Sequence, residues 1–191
     1  MIFTFLTNKL GGYYSLRQKF KGSNASLIKK FYLLLHKGFQ YETNSSLPFN
    51  NEIKGPVNFP HGTYGIFISG GAVIGENCTI YQQVTIGSNM LMDSKGLGSP
   101  IIGNNCLIGA GAKIIGNIKI GDNCRIGANA VVAKDLSDNS VIVLSIPVIY
   151  QKEHLVNKIY QQSSIGWGYQ KDGKFVEETN ERNLKTLNKV R

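Results

Sequence analysis

The chain has three cysteines, and none of them forms a C-x-x-C pair, which argues against a disulfide framework and against a zinc site. No metal is expected. It has five prolines and one tryptophan, and no run approaches the roughly 18 apolar residues that a membrane-spanning helix requires. Residues 1–6 are too short an apolar stretch for a secretory signal, and their positive charges follow rather than precede them. A cytoplasmic protein is therefore expected. Acidic residues are missing altogether from residues 1–40. Against these absences stand 42% hydrophobic residues in 191, enough for a sizeable core and too many for wholesale disorder. One domain with appendages is the natural reading at this length.

The net charge of +9 is unevenly placed. Lys9, Arg17, Lys19, Lys21, Lys29, Lys30 and Lys37 give the first 40 residues their whole excess, whereas residues 41–149 are close to neutral. A basic arm of this kind suits nucleic acid, an anionic membrane face or an acidic partner, and equally a solvated helix face. No nucleic-acid recognition motif accompanies the charge, so a nucleic-acid partner is not expected.

What the sequence has in abundance is a repeat. Aliphatic residues recur at every sixth position, at Ile68, Ile74, Ile80 and Ile86, then at Ile102, Ile108, Ile114, Ile120, Ile126 and Val132. Glycine follows several of them, at Gly75, Gly87, Gly103, Gly109, Gly121 and Gly127. The fifth position of each hexad is small or apolar, as at Ala72, Val84, Ala112, Ala130 and Leu136. A period of six fits neither a helix nor a half-buried strand. It fits a coil with flat sides of six residues, stacked so that like lies over like. The aliphatic points inward, and the glycine turns the corner with a positive φ. Ile86 and Ile102 are out of phase, so residues 88–100 must leave the coil as a loop. Cys78, Cys106 and Cys124 all fall at the fifth position, where core filling is expected rather than chemistry.

The flanks read differently. Residues 1–46 form a basic, mostly helical arm, with capping residues Ser23–Ser26 before a helix over 27–37 and Gly38 as its stop. Leu27, Phe31, Leu34 and Leu35 share one helix face, which suits docking on the coil or lying on a membrane surface. Residues 47–148 carry the coil. Within the extension 149–191, residues 164–176 suggest a hairpin and 177–190 a short helix.

Certain runs of residues carry a resemblance. They are His61-Gly62-Thr63-Tyr64-Gly65-Ile66-Phe67-Ile68, Gln83-Val84-Thr85-Ile86-Gly87, Ile108-Gly109-Ala110-Gly111-Ala112-Lys113-Ile114-Ile115-Gly116-Asn117 and Ile126-Gly127-Ala128-Asn129-Ala130-Val131-Val132. Over residues 47–148 the chain resembles the hexapeptide-repeat acyltransferases, in particular the serine acetyltransferase-like branch that includes capsule and exopolysaccharide O-acetyltransferases. The resemblance implies a mainly β fold, a left-handed parallel β-helix with a short helical N-terminal arm and a C-terminal extension. It implies acetyl-CoA as acyl donor and a homotrimer with sites between neighbouring coils. The acetyl group would pass directly to the acceptor, without an acyl-enzyme. It places Ser88, Ala110 and Ala128 along the coenzyme arm, and Arg125, Lys113 and Lys134 near its phosphates.

Acetyl transfer to an alcohol needs a base that works near neutrality, which imidazole supplies. Of the three histidines, His36 lies in the arm and His154 in the extension. His61 sits in a Pro-His-Gly turn at the coil's entrance and matches the family's catalytic histidine. Several of the family's accompanying residues are replaced: Ser46 stands where an orienting aspartate is usual, Ser99 replaces a second histidine, and Pro60 replaces the aspartate that holds the serine amino group. A sugar hydroxyl of a polysaccharide or its precursor is therefore expected as acceptor. Serine is the alternative, and a non-catalytic scaffold or binding module the alternative of another class. With Ser46 in place of an acid, Glu52 or a backbone carbonyl would have to orient His61. Amides near Gly87 and Ser88 would serve the oxyanion. At the far end, Ser145-Ile146-Pro147-Val148 departs from the family's Gly-x-Pro-Ala.

Overall fold

The computed structural model describes residues 1–144, 151, 158–171 and 173–189. The arm forms three helices, α1 (Ile2–Lys9), α2 (Gly12–Gly22) and α3 (Ser26–Thr43). The third runs past the expected stop at Gly38 and ends at Asn44, which takes the left-handed conformation at φ 46°. Gly38 is there for packing, because a Cβ at that position would drive into the Phe3 ring of α1. Glu42 holds α1 in place. It accepts from Phe3 N at 3.2 Å and from Thr4 N and Thr4 Oγ1 at 2.7 Å each, supplying acceptors to amides that a helix start leaves unpaired. The N-terminal amine lies 3.6 Å from the same carboxylate. Desolvation alone would raise the Glu42 pKa, but the bonds from Thr4 and Phe3, with the terminal ammonium, hold it down at about 2.

Only part of the expected apolar face of α3 docks. Leu35 and Phe39 are buried, whereas Leu27, Phe31 and Leu34 point outward at 81%, 54% and 63% exposure. The inner layer is completed by Tyr13 and Leu16 of α2. Beside them Arg17 is buried and has no carboxylate partner among the described residues. It donates to Asn51 Oδ1 at 2.7 Å, to the Asn51 carbonyl and to Phe49 O at 3.2 Å, which pins the segment entering the coil.

The coil follows as β1 (Glu52–Ile53), β2 (Phe67–Ile68), β3 (Val73–Ile74), β4 (Thr79–Ile80), β5 (Thr85–Gly87) and β6 (Ile101–Ile102). It continues as β7 (Leu107–Ile108), β8 (Lys113–Ile115), β9 (Lys119–Ile120), β10 (Arg125–Ile126), β11 (Val131–Val132) and β12 (Val141–Ile142). These make three parallel sheets, ordered β1-β3-β6-β9, β4-β7-β10-β12 and β2-β5-β8-β11. The chain is a left-handed parallel β-helix, with three hexads to a turn. Register stacks Ile68, Ile86, Ile114 and Val132 on one face and Ile53, Ile74, Ile102 and Ile120 on the next. The third ladder is Ile80, Ile108, Ile126 and Ile142. These ladders and the fifth-position residues are the core. Cys78, Cys106 and Cys124 lie within it, each thiol donating at 3.2 Å to a carbonyl of the next turn.

Two expectations about the coil need correction. The hexad glycines do not carry the positive φ; Asn77, Asn105, Asn123 and Asn139 turn one corner, and Gln83, Gly111 and Asn129 another. Asparagine tolerates the left-handed region because its short side chain bonds locally. The glycines instead make room between turns: a Cβ on Gly75 would come within 2.5 Å of Gly103 O, and one on Gly109 within 2.6 Å of Ala128 N. Leu136, assigned by spacing to a fifth position, lies in the ladder on Ile120, because the final turn is two residues short. Residues 88–100 leave the coil through an antiparallel neck, Asn89 and Gly98 exchanging bonds of 2.8 and 2.9 Å.

Residues Pro147–Arg191 form a separate compact unit. A three-stranded antiparallel sheet, β13 (Tyr160–Ser163), β14 (Gly166–Lys171) and β15 (Lys174–Glu177), precedes α4 (Glu181–Leu187). The hairpin expected at 164–176 thus gains a strand before it, and the helix begins only after Asn180, whose side chain caps it. The 145–148 departure and His154 lie outside the described residues. No helix among the described residues is long and apolar enough to cross a membrane.

Candidate active site

His61 lies on an exposed turn between β1 and β2, tightened by Gly62 at φ 72° and a bond from Gly62 N to Phe59 O of 3.0 Å. Its Nδ1 is 2.8 Å from Gln82 Oε1, so Nδ1 carries the proton and donates, leaving the Nε2 lone pair free to act as a base. The Tyr81 ring meets the imidazole edge-on at 5.5 Å. The group on Nδ1 is therefore a side-chain amide, neither Glu52, which lies in β1, nor a backbone carbonyl. Ser46 pairs with Phe67 at the edge of the coil. Sequence reasoning missed Gln82, since it lies 21 residues from His61 and only the winding of the coil brings the two together.

Gln82 belongs to a continuous corner. Gln83 N bonds Tyr64 O at 2.9 Å, Gly111 N bonds Gln82 O at 3.0 Å, and Asn129 N bonds Ala110 O at 2.8 Å. Ala110 and Ala128 thus lie on the same edge of the prism as the glutamine that holds His61. Lys113 and Arg125 flank that edge on the two adjoining sheets, in β8 and β10. The Lys113 ammonium donates to Gln83 O at 2.8 Å. Ser88 and Lys134 fall elsewhere, beyond the far ends of β5 and β11. There Ser88 joins Ser69 and Ser99: Ser88 Oγ is 2.7 Å from Ser99 Oγ and also bonds Ser69. Ser99 thereby fills its place with a hydroxyl contact across the loop's base.

A cavity of about 330 Å³ opens beside His61. Helix α1 contributes Thr4 and Asn8, α2 contributes Tyr13 and Tyr14, and the coil's entrance contributes Phe59, Thr63 and Tyr64. Burial, only partly countered by Arg17, raises the Tyr13 pKa to about 12, so it remains a neutral phenol, and its hydroxyl donates to Leu47 O at 3.0 Å. Thr63 is 4% exposed and its hydroxyl has no partner among the described residues. A buried polar group left this way costs about 1–3 kcal/mol. The Glu42 carboxylate lines a neighbouring hollow and is already engaged with α1. Among the described residues no group of three or more His, Cys, Asp or Glu side chains is placed to hold a metal ion.

His36 is remote from this chemistry. It is 5% exposed, its ring stacks on Phe49 at 3.8 Å, and its Nε2 donates to Leu47 O at 2.9 Å.

Comparison with known proteins adds a family. The bacterial transferase hexapeptide family (six repeats) matches residues 99–134. A serine acetyltransferase of Synechococcus elongatus is 45% identical over 92 residues, covering 48% of this chain and 36% of its own length. One from Staphylococcus aureus is 39% identical over 113 residues, covering 53% and 52%. Among solved structures, Entamoeba histolytica serine acetyltransferase 1 in complex with L-cysteine superimposes with a TM-score of 0.52 at 32% identity, over 60% of this chain and 44% of that one. Soybean serine acetyltransferase complexed with serine gives 0.53 at 32%, over 66% and 49%. The chain spans about a third to a half of the length of these relatives. Together the matches support the hexapeptide acyltransferase family.

Proposed function

We propose that the chain is an acetyl-CoA-dependent O-acetyltransferase with His61 as general base. The observation that carries this reading is the hydrogen bond from His61 to Gln82, on the prism edge shared with Ala110 and Ala128. His61 Nε2 takes the proton of an acceptor hydroxyl as its oxygen attacks the thioester carbonyl. The tetrahedral intermediate then expels the thiolate, which recovers the proton from the imidazolium. The acetyl group passes directly from sulfur to the acceptor oxygen, with no acyl-enzyme. The coenzyme's pantetheine arm would run past Ala110 and Ala128. Lys113 and Arg125 beside them would meet its phosphates, whereas Ser88 and Lys134, at the sheet's other margin, lie off that path.

The comparisons favour serine as acceptor over the polysaccharide hydroxyl expected from sequence, since the relatives above carry the name serine acetyltransferase. The local chemistry favours a sugar. A zwitterion needs a carboxylate for its ammonium group, and among the described residues no Asp, Glu, Lys or Arg side chain lines the cavity. We take the sugar hydroxyl as the reading the geometry supports best and serine as the second. Purified protein with acetyl-CoA is expected to release free thiol faster with N-acetylhexosamines or hexosides than with L-serine. The reverse order would make it a serine acetyltransferase, and no release with either would favour a scaffold.

We also infer a homotrimer with sites in the grooves between coils; sedimentation as a single chain would count against it. The basic arm, with Leu27, Phe31 and Leu34 outward among lysines, supports docking on the anionic inner face of the membrane, in the cytoplasm. Liposomes with anionic lipid are expected to co-sediment the protein, and Lys29→Glu with Lys30→Glu to weaken this. Equal binding to neutral liposomes would refute it.

A further inference from the structure

We propose that α1 and α3 together form one docking face whose partner is an anionic lipid surface, and that docking there speeds acetyl transfer by holding α1, which is also a wall of the cavity beside His61. This rests on the readings of His61 as base and of the arm as lipid-binding, and adds to them the helix through which the surface acts on the site.

Helical spacing sets the face. Leu27, Phe31, Leu34 and Gly38 recur at i, i+4, i+7 and i+11 of α3 and so share one row. Gly38 is where α1 lands, with the Phe3 ring in the place of a side chain, and Glu42, one turn on, holds the start of α1. The outer side of α1 therefore adjoins the end of that row, and it too is apolar: Ile2, Phe5 and Leu6 are 63%, 58% and 39% exposed. Large apolar side chains gathered on one side of a surface mark an interaction site, unlike the same residues scattered singly. Lysines border them. Lys30 and Lys37, three residues beyond Leu27 and Leu34, are exposed, and the Lys9 ammonium lies 5.5 Å from the centre of the Phe5 ring. An apolar row with cations at its margin suits the boundary between acyl chains and anionic headgroups, where lysine stems stay with apolar surface and the ammonium groups reach the phosphates. A second copy of the arm is a poor partner, because residues 1–40 hold seven cations and no acid and would repel their like.

The link to the site is α1 itself. Thr4 and Asn8, one turn apart, line the cavity that His61 lines, and they stand roughly opposite Ile2 and Leu6 on the helix. With eight residues α1 is too short to hold its own helix, so its order depends on what it packs against. On the inner side that is Gly38, Glu42 and the setting of the buried Thr7, whereas Ile2, Phe5 and Leu6 are left open to solvent. A bilayer against the outer side would supply the missing contact and steady the wall that meets the acceptor.

Hydrogen exchange on the full chain reads this coupling without acetyl-CoA. With vesicles of phosphatidylglycerol and phosphatidylcholine, the amides of residues 3–10 and 61–65 are expected to exchange ~10-fold more slowly than in buffer, and with phosphatidylcholine alone to be unchanged. Phe5→Glu is expected to remove the slowing in both segments and Phe5→Leu to keep it. Phe5 is exposed and lies outside the cavity lining, so Phe5→Glu should transfer acetyl in vesicle-free buffer as the wild type does. Thiol release from acetyl-CoA is expected to rise several-fold on the anionic vesicles for the wild type and not for Phe5→Glu. His61→Ala is expected to lose transfer yet keep the vesicle-dependent protection, so a wrong base and a wrong coupling give different results. Vesicles that co-sediment the protein but protect α3 alone would leave the arm's docking in place and overturn the coupling. Protection or activation equal in Phe5→Glu and the wild type, or no binding to anionic vesicles, as an acidic protein partner would give, would overturn it as well.

Discussion

His61→Ala is expected to lower acetyl transfer by about 10²–10⁴, the usual contribution of a positioned general base. The loss should fall on kcat, because the prism edge that would carry the coenzyme, from Gln82 to Ala128, does not depend on the imidazole. Affinity for acetyl-CoA measured by calorimetry should therefore change little. Gln82 sharpens the test. Its amide oxygen fixes the tautomer without contributing a charge. Gln82→Leu would free the ring to rotate and cost part of the same rate. Gln82→Glu would set a carboxylate against Nδ1, favour the imidazolium and move the acid limb of the rate profile to higher pH. A merely structural role for Gln82 predicts no such movement. If His61→Ala keeps full activity, the base lies elsewhere and the mechanism falls.

The contrast between what sequence disclosed and what it hid has a physical root. The ladders from Ile68 to Val132 were readable because each inward residue repeats under the same translation, so period alone locates the core. The corners were misassigned because two requirements fall near each other. Gly75, Gly103 and Gly121 are small because the next turn presses on them, while the left-handed residues are the asparagines two places on. Spacing cannot tell a steric glycine from a conformational one. Leu136 was misplaced because a period fitted to earlier turns says nothing of a shortened last one. In the site, His61 was visible through its Pro-His-Gly turn and the motif after it. Gln82 was invisible, since glutamine has no characteristic spacing and its role exists only once the coil has closed. The cavity was hidden for a similar reason: Thr4, Tyr14 and Thr63 come from three elements, and Gly38, which lets α1 approach, reads locally as a helix stop.

The arm also sets the protein's acid limit, through His36. Burial lowers its pKa from 6.5 to about 4; the Leu47 carbonyl opposes the shift and the Arg17 guanidinium adds to it. The folded state thus takes up a proton only near pH 4, whereas the unfolded chain does so near 6.5. Stability rises with pH wherever the unfolded state holds more protons. The contribution of His36 is therefore complete above pH 6.5, declines as pH falls through the interval and levels off near 4. At roughly 1.4 kcal/mol per unit of pKa, the loss amounts to about 3 kcal/mol, a large share of a typical domain's stability. The groups facing the ring leave no relief: Tyr13 lies 6.0 Å away as a neutral phenol, Phe49 stacks on it, and Arg17 is already cationic. Glu42 acts in a lower window, its contribution present above about 4.5 and lost only as pH falls towards 2, so the two are separable. Urea unfolding at pH 7 and pH 4.5 should show most of this loss for the wild type and a much flatter dependence for His36→Gln, whose amide can still donate to Leu47 O. An equally steep slope in the variant would assign the acid sensitivity to other groups and leave His36 a mere packing residue.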